Sequence, residues 1–205
     1  LTLFEQDVRR GLSLDIPHLS AYALQFEEGT VLWQMRQRGE VKEADEELSL
    51  QCSHRLINLT AEAGLGHYEI SNFARPDFRS RHNSSYWQGL PYLGLGAGAH
   101  SYDGHAVRTA NCPDVQRYIA GEAAEVERLS ANERFNARIM LSLRTREGLD
   151  LHALERDFGR ERRRACERQA APHVQEGRLR READRLRLTP QGLFVSDAIL
   201  VDLMN

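Results

Sequence analysis

Cysteine is scarce in this sequence and lysine is all but missing. The three cysteines, Cys52, Cys112 and Cys166, lie far apart with no CxxC spacing. They therefore encode neither a disulfide framework nor a zinc or iron–sulfur site, and read as reduced structural thiols. Lys42 is the only lysine among 27 basic residues, so the positive charge is carried by arginine. No run reaches the roughly 20 apolar residues of a membrane span, and the front lacks a charged start followed by an apolar core and a small-residue cleavage site. A soluble, cytoplasmic protein is expected. The eight histidines include no HExxH motif, which leaves a zinc hydrolase unsupported.

A hydrophobic content of 41% over 205 residues suffices for a real core. The net charge of -3 gives the whole molecule no strong pull toward nucleic acid or anionic membrane, and no nucleic-acid partner is expected. The charge is uneven, however. Residues 1–128 hold 12 basic and 18 acidic side chains, and residues 129–205 hold 15 and 12. That asymmetry argues for two units.

Apolar spacing supplies the elements. Phe4, Val8 and Leu12 fall on one helical face, and "IPHLSAYALQF" is a nearly continuous apolar run, the pattern of a strand buried on both faces in a parallel sheet. Leu48, Cys52, Leu56, Leu59 and Ala63 predict a helix over 45–63 closed by Gly64, and "HYEISNF" predicts another strand. Strand, helix and strand together predict a βαβ unit, the closing part of an α/β layer or barrel. "PDVQRYIAGEAAEVERL" reads as a short helix running into a linker.

From about residue 130 the pattern predicts three helices, a two-strand ribbon and a last helix. Ser130 and Glu133 form a capping box ahead of Phe135, Ile139 and Leu143. Gly159 and Gly177 end the second and third helices, and Pro172 should kink or shorten the third. Two strands flank Ala183-Asp184, and Thr189 with Pro190 opens a final helix with Val195, Ile199 and Leu203 as its stripe. Three helices and a ribbon suggest a winged-helix arrangement. The arginine run at 160–168 lies where such a fold would read DNA, but Glu161 and Glu167 interrupt it and base-reading side chains are few.

The densest chemistry lies in "SRHNSSYWQGLPYLGLGAGAHSYDG", residues 80–104. Gly94, Gly96 and Gly98 superficially suggest a dinucleotide loop, but His100-Ser101-Tyr102-Asp103-Gly104 cannot be the helix turn that such a loop must open. They fit backbone in close approach to something flat, whether another strand or a planar ligand. His82 and His100 are crowded by aromatic and glycine neighbours. An imidazole at His82 beside Tyr86 and Trp87 could ligate a heme iron while the aromatics cover the macrocycle. The alternative is a loop histidine bonded to backbone, with Trp87 filling core.

The stretch "YEISNFARPDFRSRHNSSYWQGLPYLGLGAGAHSY" resembles the oxygen-independent coproporphyrinogen III oxidase-like radical SAM proteins, and within them the HemW branch of heme chaperones. The HNxxYW signature of that branch stands here as His82, Asn83, Tyr86 and Trp87. "HLSAYALQFEEGT", "RTAN" and "ERFNARIMLSLRTREGLDL" also match, so the resemblance spans nearly the whole chain. It implies an α/β fold, α+β overall. Residues 1–128 would be the last part of a radical SAM partial (β/α)6 TIM-like barrel, and residues 129–205 a winged-helix-like C-terminal domain. It further implies heme bound by His82, Asn83, Tyr86 and Trp87 with His82 on the iron, and delivery of that heme to respiratory proteins. The rival reading within the family is radical decarboxylation of coproporphyrinogen; a stand-alone winged-helix binding module is a third.

Members of this family carry a Cx3CxxC motif for a [4Fe-4S] cluster that binds S-adenosylmethionine, and this chain has none. The resemblance thus implies the second half of such a protein, inactive alone. Only Leu24 and Gln25 are left to touch the adenosyl group, and an exposed barrel edge would invite self-association or the missing half. The full-length family members are expected to associate peripherally with membranes.

Overall fold

The computed structural model describes residues 1–204, and its first element is the helix anticipated at the front, α1 (Thr2–Leu12). By its internal contacts the chain divides into one compact unit, Leu1–Arg79, and a second beginning at Ser80.

In the first unit, β1 (His18–Ser20), α2 (Val31–Gln37), α3 (Glu46–Glu62), β2 (Gly66–Glu69) and β3 (Asn72–Ala74) follow α1. Thr30 and Asp45 start α2 and α3 by accepting the N–H groups of Trp33 and Leu48; α2 is a helix that the apolar spacing does not predict. Gly64, at φ +77°, ends the α3 segment. Arg55 of α3 donates through Nε to Glu5 of α1 at 2.8 Å. Leu59, Leu65, Tyr68 and Phe73 form the buried interior.

The sheet order is β1-β3-β2 with antiparallel neighbours. β1 and β2 therefore run in the same direction with β3 inserted between them, a split version of the expected βαβ unit. The apolar run does not form a long strand buried in a parallel sheet. Ala21 donates its N–H to Ser71, at the turn where the chain reverses between β2 and β3, so no partner backbone remains for residues 22–26. Tyr22 and Leu24 are left 71% and 69% exposed.

The second unit opens with α4 (Arg81–Trp87), followed by β4 (His100–Tyr102), β5 (Val107–Ala110), α5 (Val115–Ile119) and β6 (Glu125–Arg128). The three strands form a β4-β5-β6 antiparallel meander. The segment expected as a linker is thus the strand β6. All four of its residues are exposed at a sheet edge, so burial left no alternation to read.

After them come α6 (Ala131–Leu143), β7 (Leu149–Asp150), α7 (Leu151–Phe158), α8 (Arg160–Gln175), β8 (Leu179–Glu182), β9 (Arg185–Leu188), α9 (Pro190–Leu193) and α10 (Ser196–Leu203). The Ser130–Glu133 capping box is formed in both directions. Phe135, Ile139, Leu143, Leu151, Leu154, Cys166, Ile199 and Leu203 share one core with the inward residues of the β7-β9-β8 sheet.

Three expectations need correction in this region. The ribbon has a third strand, β7, too short to announce itself. α8 runs through Pro172 to Gln175 rather than stopping, because Glu176 and Arg178 still donate to the carbonyls of Pro172 and His173. The final helix is two pieces broken at Val195, which is 41% exposed rather than part of the buried stripe. The arginine run is partly spent internally: Arg163 pairs with Glu155 at 2.9 Å and Asp184 at 2.8 Å, tying α7, α8 and the β8–β9 turn together.

Candidate functional site

The HNxxYW signature is helical. Ser80 accepts the N–H of Asn83 and starts α4, a helix of seven residues. Helical geometry then sorts the four residues: His82 and Tyr86 are four apart and share a face, as do Asn83 and Trp87. His82 is exposed, and its ring meets that of Tyr86 edge-on with centroids 4.8 Å apart. Tyr86 in turn meets Tyr92 at 4.7 Å, and Tyr92 lies 6.2 Å from Tyr102. The main chains of Tyr92 and Tyr102 exchange hydrogen bonds of 3.0 and 2.9 Å. A row of four rings thus runs from the exposed imidazole to strand β4.

Trp87 is not in that row. Five residues on from His82, it projects roughly 140° away around the helix. The guanidinium of Arg144, from the end of α6, lies 4.6 Å over its ring. The indole is therefore not the imidazole's neighbour; Tyr86 is. Trp87 anchors α4 against α6, and its Nε1 is buried with no acceptor among the described residues.

The glycine-rich stretch approaches a strand closely. A Cβ on Gly94 would lie 2.1 Å from the carbonyl oxygen of His100. His100 itself is an exposed β4 residue paired with Ala110. Asn111, the last residue of "RTAN", donates its side-chain amide to the carbonyls of Gly94 at 3.3 Å and Gly96 at 2.9 Å. The Gly96 N–H donates to the Tyr118 hydroxyl at 3.2 Å. This clasp was not foreseen; an amide side chain directly after a strand was its only signal. Between the glycines, Leu93 and Leu95 are 77% and 80% exposed.

In the first unit, Leu24 lines a cavity of about 410 Å³ with Tyr22, Phe26, Lys42, Cys52 and Leu56. Gln25 is exposed nearby. Both lie in coil beyond Ser20, not at a strand end. A polar network fills the β2–β3 turn, where the buried carboxylate of Glu69 accepts from the Asn72 amide at 2.6 Å and from the Ser71 N–H at 2.7 Å.

The thiols do not fit an iron–sulfur cluster. Among the described residues no three His, Cys, Asp or Glu side chains are gathered to hold a metal. Cys112 and Cys166 are buried, and burial pushes the Cys166 thiol up to about 12, far from thiolate formation at neutral pH.

Residues 129–195 match the HemN C-terminal domain family. The fold matches a solved Escherichia coli structure, titled as coproporphyrinogen III oxidase (HemN), a radical SAM enzyme. The TM-score is 0.70 at 17% identity, over 97% of this chain and 50% of that one. The architecture is thus a mixed α/β fold similar to that structure's. The heme chaperone HemW of Mycobacterium tuberculosis is 34% identical over 98% of this chain and 50% of its own length. That of Lactococcus lactis is 28% identical over 97% and 53%. The chain is similar to HemW-type heme chaperones. It spans about half the length of these relatives.

Proposed function

We propose that this chain supplies the heme-contacting part of a heme chaperone, with His82 as the axial ligand to iron, Tyr86 beside it and Tyr92 next in the ring row. A heme bound there would bring the iron chemistry; the protein's part is to hold and orient it. The carrying observation is the imidazole of His82, exposed on α4 and braced edge-on by Tyr86 at 4.8 Å. An exposed imidazole fits an iron ligand, and exposed Leu93 and Leu95 on the adjoining stretch offer apolar area to a macrocycle face. Asn83 and Trp87 set the helix rather than touch the ligand.

The reading has further parts. Residues 1–128 would close a radical SAM partial barrel and residues 129–205 form a winged-helix-like domain, in a cytoplasmic protein. Leu24 and Gln25 would face S-adenosylmethionine beside the 410 Å³ cavity. The [4Fe-4S] ligands would come from outside this sequence. Heme would pass to respiratory proteins, and the sheet edge beside exposed Tyr22 and Leu24 would be covered by another chain segment or a second copy. The chaperone reading is preferred over oxidase activity because the higher-identity relatives are chaperones, while the likeness to the oxidase is one of fold.

The test is a Soret titration of heme into the chain and its His82→Ala variant. Loss of the imidazole should shift the Soret maximum and weaken binding by about tenfold or more. An unchanged spectrum and affinity would remove His82 from the iron.

A further inference from the structure

The two edges of the β4-β5-β6 sheet are unequal. Beside β4, the main chains of Tyr92 and Tyr102 exchange hydrogen bonds and Gly94 closes on His100. At the other edge all four residues of β6 are exposed. The hydrogen-bond phase fixes which groups lie there. Leu129 donates to the Ala106 carbonyl at 2.8 Å, and Asp103 to that of Val107 at 3.0 Å. Val107 is thus turned toward β4. The alternation of an antiparallel ladder then turns Arg108 and Ala110 toward β6, opposite Glu127 and Glu125. The main-chain N–H and C=O groups of Val126 and Arg128 therefore point away from the sheet, two donors and two acceptors in phase for another strand.

The side chains select what can pair with them. Glu125 and Glu127 share one face of the strand, Val126 and Arg128 the other. Glu127 lies 3.9 Å from Arg108, and Glu125 has no ionic partner among the described residues. Val126 is 62% exposed. A second β6 fits this edge badly. Setting Val126 against its own counterpart in an antiparallel pair places Glu125 opposite Glu127, and setting it against Arg128 places Glu127 opposite itself. Like charges directly opposite destabilise a ladder. A strand that alternates basic, apolar, basic puts a cation opposite each glutamate and an apolar side chain opposite Val126.

We propose that β6 is a docking edge for an extended segment of another protein, one with lysine or arginine on either side of an apolar residue. The free main-chain groups of Val126 and Arg128 hold the added strand, and the two glutamates select its charge. Docking at this edge needs no heme.

The probes are the end-capped peptides TKVKVT and TEVEVT, added to the whole chain and followed by amide exchange and amide NMR shifts. TKVKVT should slow exchange at Val126 and Arg128 about tenfold, leave the N–H groups of Glu125 and Glu127 as they were, and bind about tenfold tighter than TEVEVT. Val126→Pro removes one outward donor and no ladder bond, so affinity for TKVKVT should fall about tenfold while the β5 amides stay protected. Glu125→Lys leaves the backbone untouched and should weaken TKVKVT and strengthen TEVEVT. Exchange unmoved by TKVKVT, equal binding of the two peptides, or binding that neither variant alters overturns the proposal. So does protection of Val126 and Arg128 that rises with protein concentration in the absence of peptide, which assigns the edge to a second copy.

Discussion

Between residues 80 and 128 one hydrophobic side chain among those described, Cys112, is buried, at 7% exposure. From residue 129 onward, Phe135, Ile139, Leu143, Leu149, Leu151 and Leu154 all fall at or below 1% exposure and close a core with α8 and α10. The first stretch carries the HNxxYW helix and the glycine clasp; it holds its shape by backbone approach, side-chain amides and a ring row. The second holds its shape by removing apolar area from water. On the proposed reading, a surface that meets a flat apolar ligand would not spend its leucines on its own interior. Leu93 and Leu95 stay outside, and Gly94, Asn111 and Tyr118 replace the burial they would have supplied.

The largest test of that contrast is Phe135→Ala. Its ring is fully buried and meets Phe158 edge-on at 5.5 Å. Truncation should cost about 3–5 kcal/mol and lower the denaturation midpoint of the second unit. A cost below about 1 kcal/mol would mean that the core is not what holds residues 129–204.

Gly94→Ala should come next. The new methyl would lie 2.1 Å from the His100 carbonyl oxygen, which is backbone and cannot rotate aside, so β4 must shift. We expect a loss of about 1–3 kcal/mol, with amide exchange accelerated in residues 92–102 and the Phe135 core left protected. Asn111→Ala should give a smaller version, about 1–2 kcal/mol from two lost hydrogen bonds. If either change loosened the core as much as the glycine stretch, the two regions would be one cooperative body and the contrast would fail.

The same contrast explains what could be read in advance. α6 was legible down to its capping box, because a buried helical stripe and its cap are both written in local spacing. β7 escaped because two residues carry no period, and β6 because an exposed edge strand buries neither face. The apolar run misled from Tyr22 onward because hydrophobicity records burial demand, not whether a partner strand is available. At the site, His82 and Trp87 are near neighbours in sequence and separated on the helix. Once α4 is known, the pairing of His82 with Tyr86 follows from the four-residue spacing alone. The Arg144–Trp87 contact joins positions far apart in the chain and had no local signature.

The smallest expected effect is a titration that should touch only the hydrogen-bonded region. The N–H groups of Val107 and His105 foremost, with that of Ala106, hold the Asp103 carboxyl below its ordinary value of 3.8. A depressed folded-state pKa means that ionised Asp103 favours the native turn, with its full contribution above about pH 3.8 and its loss as pH falls through the lower folded value. The backbone amide resonances of His105, Ala106 and Val107 should therefore move together with one midpoint below 3.8, while core amides from 135 to 143 stay still. Asp103→Asn should abolish the movement, because the amide keeps an acceptor oxygen and loses the charge. A midpoint at or above 3.8 would mean that the three N–H groups do not favour the carboxylate, and the turn would then owe its shape to the glycine at 104 rather than to Asp103.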